Sequence, residues 1–216
     1  MPKNIFLTDM YEAMLGTLGK SGWWPSSSPF ETIVGAVLTQ NTSWQNVEKA
    51  LCVLRERDLL APERMEEVPQ DVLAECIRSS GYYRLKAARL KNVVSFLRTS
   101  CDFDLNRLVR DFTADDLREN LLAIKGVGPE TADTILLYAL GLPFFVVDAY
   151  TFRIMNRHGL VPEQTSYEEL QALFTDNLTS DASLFNEYHA LLVRIGKSWC
   201  LKKQPVCETC PLQPFL

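Results

Sequence analysis

A chain of 216 residues with 47% hydrophobic and 23% charged residues has ordinary globular proportions, enough for one large or two small intertwined domains with a real core. The longest uncharged apolar run, residues 134–147, is interrupted by Gly141 and Pro143 and is too short for a membrane span, and the N-terminus carries acids too early for a signal peptide, so a soluble, cytoplasmic protein is expected. A net charge of −5 and a pI near 5.2 weigh mildly against nucleic acid as a partner, although a global balance says little about one face.

Helical periodicity runs along the chain. Phe30, Ile33, Val34, Val37 and Leu38 recur at three- and four-residue steps, as do Val47, Ala50, Leu51 and Leu54, then Leu73, Cys76 and Ile77, then Leu90, Val93, Val94 and Leu97. Pro25, Pro29, Pro62, Pro69 and "SSG" at 79–81 separate these stretches. "WWPSSSP" at 23–29 has the composition of a linker, apart from its two tryptophans. In "YYRLKAARLKNV" at 82–93, Arg84, Lys86, Arg89 and Lys91 lie close together; such a run most simply forms a solvated helix face. "FFVV" at 144–147 is the one strand-like stretch. The expectation is an all-α protein of about ten short helices.

Cys52, Cys76 and Cys101 fall on apolar helical patterns and read as small core residues. Cys200, Cys207 and Cys210 crowd into "WCLKKQPVCETCPLQPFL" between Pro205 and Pro211, a spacing suited to a metal or iron–sulfur loop. His158 and His189 make a poor metal pair and read as ordinary residues.

"LLAIKGVGPETADTILLYAL" holds the most informative turn. Leu121, Leu122 and Ile124 end one helix, Gly126-Val127-Gly128 turn the chain, and Pro129 starts a second helix at its favoured first position. Paired glycines permit positive φ and leave amides uncovered at a helix N-terminus, where they suit a phosphate, while Val127 packs between the helices. Asp148 follows "FFVV" and opens "AYTFRIMNR", the place of a helix N-cap; it is either a cap alone or a carboxylate held ionised for chemistry by the helix dipole.

"IKGVGPETA…VVDAYTFRI" resembles the helix–hairpin–helix DNA glycosylases of the endonuclease III superfamily, and the resemblance extends over most of the chain. "WWP…FETIVGAVLTQNT" and "ECIRSSGYYRLKAARL" look like its 3-methyladenine glycosylase branch. The resemblance implies a two-domain all-α fold with the active-site cleft between the domains: a contiguous helical domain over 29–141, and a second made of 1–28 with 142–216. It implies a monomer acting on double-stranded DNA that contains a damaged base, with Gly126, Val127, Gly128 and Thr131 at the hairpin on DNA backbone, Gln40 filling the gap left by a flipped base, and Tyr82 wedging the opposite strand. It makes Asp148 the catalytic carboxylate, which stabilises the sugar cation that forms as the N-glycosidic bond breaks. It puts Trp24 and Trp44 on either side of the flipped base, with Trp23, Pro25 and Lys197 around the pocket.

Departures from the family narrow the chemistry. Members that also cut the strand carry a nucleophilic lysine directly before Thr-Ala; that position is Glu130, which cannot form a Schiff base. Adenine-mismatch members place a glutamate where this chain has Gly35. The resemblance therefore implies a monofunctional enzyme for N-alkylated purines, cationic bases that leave easily and bind by stacking on electron-rich rings. Uracil or thymine mismatch glycosylases, an endonuclease III-like glycosylase and a non-catalytic DNA-damage binder are the alternatives. The family's 4Fe–4S loop supplies Cys200, Cys207 and Cys210 as ligands here, but its fourth cysteine position is Leu216.

Overall fold

The structure, a computed structural model, describes residues 3–216. It is all-helical, with no β-strand among the described residues, and its contacts divide it into two compact units: Ser26–Leu142, and the stretch through Pro25 together with Pro143–Leu216. No helix among the described residues is long and apolar enough to cross a membrane.

Helix α1 (Lys3–Leu18) buries Leu7, Met10 and Met14 within the second of these units. The Ser26–Leu142 unit then runs through α2 (Pro29–Leu38), α3 (Trp44–Glu56), α4 (Pro62–Glu67), α5 (Gln70–Cys76), a 3₁₀ turn (Arg78–Ser80), α6 (Tyr83–Cys101), α7 (Leu105–Asp111), α8 (Ala114–Leu122) and α9 (Pro129–Thr134). Helix α9 continues as a π-helical turn over Ile135–Ala139. α2 is the central element of this unit: Phe30, Ile33, Val34, Val37 and Leu38 are all buried, as their spacing requires. Ser28 caps it by accepting from the Glu31 amide, and Pro29 takes its first position. Glu31 is itself buried and is held by Arg55 Nη2 at 2.7 Å and by the Ser27 hydroxyl. Asp133 is wholly buried in α9 and receives Arg118 Nε at 2.6 Å and Nη2 at 3.1 Å from α8. This two-pronged pair locks the two helices on either side of the glycine turn.

The basic run 82–93 is not a solvated face. Lys86 is buried, Lys91 donates to the carbonyls of Met65, Glu66 and Val68 at the end of α4, and Arg89 donates to Gln40. Only Arg84 of the four is exposed. Carbonyls left open at helix ends need donors, and long basic side chains reach them. Cys76 and Cys101 lie in the core, but Cys52 is exposed on α3 and donates to Glu56.

The remaining unit continues with α10 (Ala149–Arg157), α11 (Tyr167–Thr175) and α12 (Ala182–Ser198). "FFVV" is extended but pairs with no strand. It threads Phe145, Val146 and Val147 into the core, with the Phe145 ring stacked on Phe174 at 3.9 Å and edge-on to Phe185 and Tyr188. Each such ring contributes about 1.5–3 kcal/mol by burial. Gln171 satisfies the Phe145 carbonyl at 2.7 Å, the bond a neighbouring strand would have made. Gly196 lets α12 approach α10 closely, because a Cβ there would lie 2.3 Å from the Tyr150 ring.

Candidate active site

In the Ser26–Leu142 unit the hairpin is built around one strained position. Gly126 has φ +100°, and a Cβ on it would come within 2.4 Å of the Arg89 side chain. Gly128 does not use the same freedom: with φ −103° its backbone is extended, and it serves as the N-cap of α9 ahead of Pro129. Val127 is buried between the flanking helices. Gln40 sits in the turn after α2 and is tied to this hairpin. Its amide nitrogen donates to the Gly126 carbonyl at 3.1 Å and to Thr131 Oγ1 at 2.9 Å, and its oxygen accepts from Arg89 Nη1. Thr131 is buried, so its hydroxyl props Gln40 rather than presenting itself at the surface. Tyr82 stands at a left-handed position, φ 44°, with 72% of its surface exposed, far more than a half-buried loop aromatic. Trp44 is half-buried at the first position of α3. Glu130 and Lys125 are both exposed.

In the other unit Asp148 is the N-cap of α10. Its Oδ1 accepts from the Thr151 amide at 2.7 Å and from the Thr151 hydroxyl at 3.0 Å. Its Oδ2 faces His189 Nε2 at 3.7 Å, with the two side chains 14% and 7% exposed. Burial is the largest influence on this carboxyl and works against ionisation, but His189 and the two Thr151 donors outweigh it, so Asp148 titrates below the usual carboxylate range. His189 is therefore not an ordinary residue: its ring nitrogen faces the candidate carboxylate. Its only sequence signal is a polar ring on the apolar face of α12, in "YHALLV".

Helix α12 also carries the tryptophan loop. Arg194 donates to the carbonyls of Leu18 and Gly19 at 2.8 and 3.0 Å, and Glu187 accepts from the Ser21 amide at 2.7 Å. Lys197 is exposed, but its ammonium lies 5.5 Å from the centre of the Trp23 ring, a cation–π contact. Trp23 and Trp24 meet edge to face at 5.6 Å, both half-buried, with Pro25 exposed beside them. One helix thus holds the partner of the carboxylate and both tethers of the aromatic loop.

Cys200, Cys207 and Cys210 line one pocket together with His158 and Leu216. Burial raises the Cys210 thiol, and the nearby Cys200 and Cys207 add to this. Arg157 donates to Cys200 Sγ at 3.3 Å and to the Leu201 and Lys202 carbonyls, while Arg153 holds the Cys200 and Gly196 carbonyls. Among the described residues no three potential ligands close around a single point as one metal ion needs.

A glycine hairpin between locked helices, followed by a carboxylate capping the next helix, defines the helix–hairpin–helix DNA glycosylase fold. The chain belongs to the HhH-GPD superfamily of base excision DNA repair proteins, which it matches over residues 34–179. It is 45% identical over 217 residues to MJ1434 of Methanocaldococcus jannaschii, provisionally named a DNA repair glycosylase, covering all of this chain and 98% of that one. It is 32% identical over 189 residues to endonuclease III of Thermotoga maritima, covering 87% of this chain and 82% of the relative. Among solved structures it resembles the H. pylori 3-methyladenine DNA glycosylase MagIII bound to 1,N6-ethenoadenine, with 29% identity, 91% and 98% of the two chains covered, and a TM-score of 0.74.

Proposed function

We propose that this DNA glycosylase is monofunctional and hydrolyses the N-glycosidic bond of alkylated, 3-methyladenine-type purines in duplex DNA, acting as a monomer and leaving an abasic site. The observation that carries the reading is Asp148, a largely buried carboxylate kept ionised by His189 and Thr151. As the base leaves, positive charge grows on the sugar; a fixed carboxylate stabilises that charge in the transition state and orients the water that adds to it. The aromatic loop supports a cationic base, since Trp23 already takes an ammonium on its face. Likeness to a 3-methyladenine glycosylase points the same way.

A second reading is an endonuclease III-like enzyme that also cuts the strand, favoured by the relationship to the Thermotoga protein. Glu130 opposes it, because no amine stands at that position to form a Schiff base. One experiment separates the two: base release is measured on duplexes carrying 3-methyladenine, 7-methylguanine, ethenoadenine, uracil or thymine opposite guanine, with borohydride present in parallel. Release of alkylated purines with no covalent protein–DNA adduct is expected. Efficient trapping would mean that another amine, Lys125 or Lys197, acts as the nucleophile, and release confined to the mismatched pyrimidines would replace the substrate class.

The cysteine loop is proposed to bind a 4Fe–4S cluster through Cys200, Cys207 and Cys210, held to α10 by Arg153 and Arg157. The cluster has no part in the hydrolysis outlined above. Anaerobically purified protein should contain iron and sulfide and be yellow-brown; colourless, iron-free protein of native helicity would show that the arginine braces alone close the loop.

A further inference from the structure

Lys86 has no counterpart in the chemistry above, yet it is 1% exposed in α6 of the Ser26–Leu142 unit. Its Nζ donates to the Leu38 carbonyl at 2.8 Å and to the Ser80 carbonyl at 2.7 Å. Leu38 is the last residue of α2, two residues before Gln40. Ser80 is the last residue of the 3₁₀ turn, two residues before Tyr82. One ammonium therefore ties together the two chain ends that carry Gln40 and Tyr82.

Both ends are irregular and need holding. Asn41 and Tyr82 have positive φ, at 53° and 44°, conformations that non-glycine residues adopt only when their surroundings enforce them. Carbonyls at a helix end lack intrahelical partners and carry the negative end of the helix dipole, which suits a cation. A methionine of similar length would fill the same space without the cost of desolvating a charge. What the lysine adds is two directed bonds to two separate segments. The side chain of Gln40 is fixed independently, by Arg89 and the hairpin; Lys86 acts on the backbone beneath it.

We propose that Lys86 is a positioning residue that sets Gln40 and Tyr82 in register, so that gap filling on one strand and wedging of the other occur together. The inference rests on the reading that Gln40 and Tyr82 enter the duplex. It separates the hold on the DNA backbone, which belongs to the hairpin, from opening of the base stack, which requires both residues at a fixed spacing.

The test uses a duplex with a tetrahydrofuran abasic analogue opposite 2-aminopurine, so that no base release is needed. Wild-type binding should raise 2-aminopurine fluorescence as Tyr82 unstacks it. Lys86→Met should bind the same duplex within about twofold of wild type but lose most of the fluorescence rise, and should release a base-paired lesion about tenfold more slowly, the scale of one charge-assisted hydrogen bond. Gln40→Ala and Tyr82→Ala should each reduce the signal, and Lys86→Met with Tyr82→Ala should be no worse than Tyr82→Ala alone. Circular dichroism checks folding; should Lys86→Met not fold, Lys86→Gln, which is uncharged and shorter but keeps N–H donors, takes its place in every comparison. A full fluorescence rise in the lysine variant while Tyr82→Ala abolishes it overturns the role of Lys86 alone. No effect of Gln40→Ala or Tyr82→Ala overturns the reading of those residues and this inference with it. A lysine variant that loses binding and fluorescence in equal measure would make Lys86 a general structural residue instead.

Discussion

Asp148→Asn should lower single-turnover base release by more than about a hundredfold, the scale for removing a group aimed at transition-state charge. Asparagine keeps the shape of the side chain, and its oxygen can still accept from the Thr151 amide, so α10 keeps its cap and the fold should hold. Binding to undamaged duplex should be unchanged, because the hairpin residues lie outside this substitution. A rate near wild type would leave Asp148 a capping residue and nothing more. The pH profile adds a second reading of the same site. The Asp148 carboxyl is held below its ordinary range, so base release should persist as the solution is acidified and fail only when the carboxylate finally takes up a proton. His189→Phe removes the partner at 3.7 Å and leaves the burial, which pushes the other way. The acid limb of single-turnover release should therefore move toward neutral pH in that variant. An unmoved limb would mean that the Thr151 donors alone keep Asp148 ionised.

Which parts of this arrangement the sequence reveals follows from how local their causes are. The hairpin and the cap were legible because each is made by adjacent residues: Gly126 for the positive φ, Pro129 for the first position of α9, and Asp148 between a buried apolar run and an amphipathic helix. Paired glycines permit positive φ, but of the two only Gly126 uses it, because Pro129 needs an extended N-cap before it, which Gly128 supplies. "FFVV" has the residues of a strand, but Phe145 is drawn into a ring cluster and its carbonyl is answered by Gln171, so no partner strand is needed. Lys86 and His189 were illegible for a different reason. The Leu38 carbonyl lies 48 positions from Lys86 and Asp148 lies 41 from His189, and periodicity scores a lysine or histidine as polar whether its partner is water or a distant segment of the chain.

If the pocket takes a cationic purine, Trp44→Ala should weaken transition-state binding of charged 3-methyladenine by about 1–3 kcal/mol, the range for one base stacked on an aromatic ring. Trp44 is suited to this by its place: it stands at the first position of α3, half-buried rather than packed in the core, where Val47, Ala50, Leu51 and Leu54 do the filling. Losing it should therefore cost less fold stability than losing a core residue of that helix, and thermal unfolding of the variant checks this. The electrostatic part of the effect separates stacking from shape. A ring quadrupole attracts a cation and gives a neutral base only dispersion and area, so the loss should be larger for 3-methyladenine than for neutral ethenoadenine. Trp44→Phe keeps a π face of lower strength and should recover part of the loss on the charged lesion. Single-turnover release by the wild type and both variants on the two lesions gives all the terms. Equal losses on charged and neutral bases would make Trp44 a wall of the cavity only, and would move the mismatch glycosylases ahead of the alkylpurine enzymes as the substrate class.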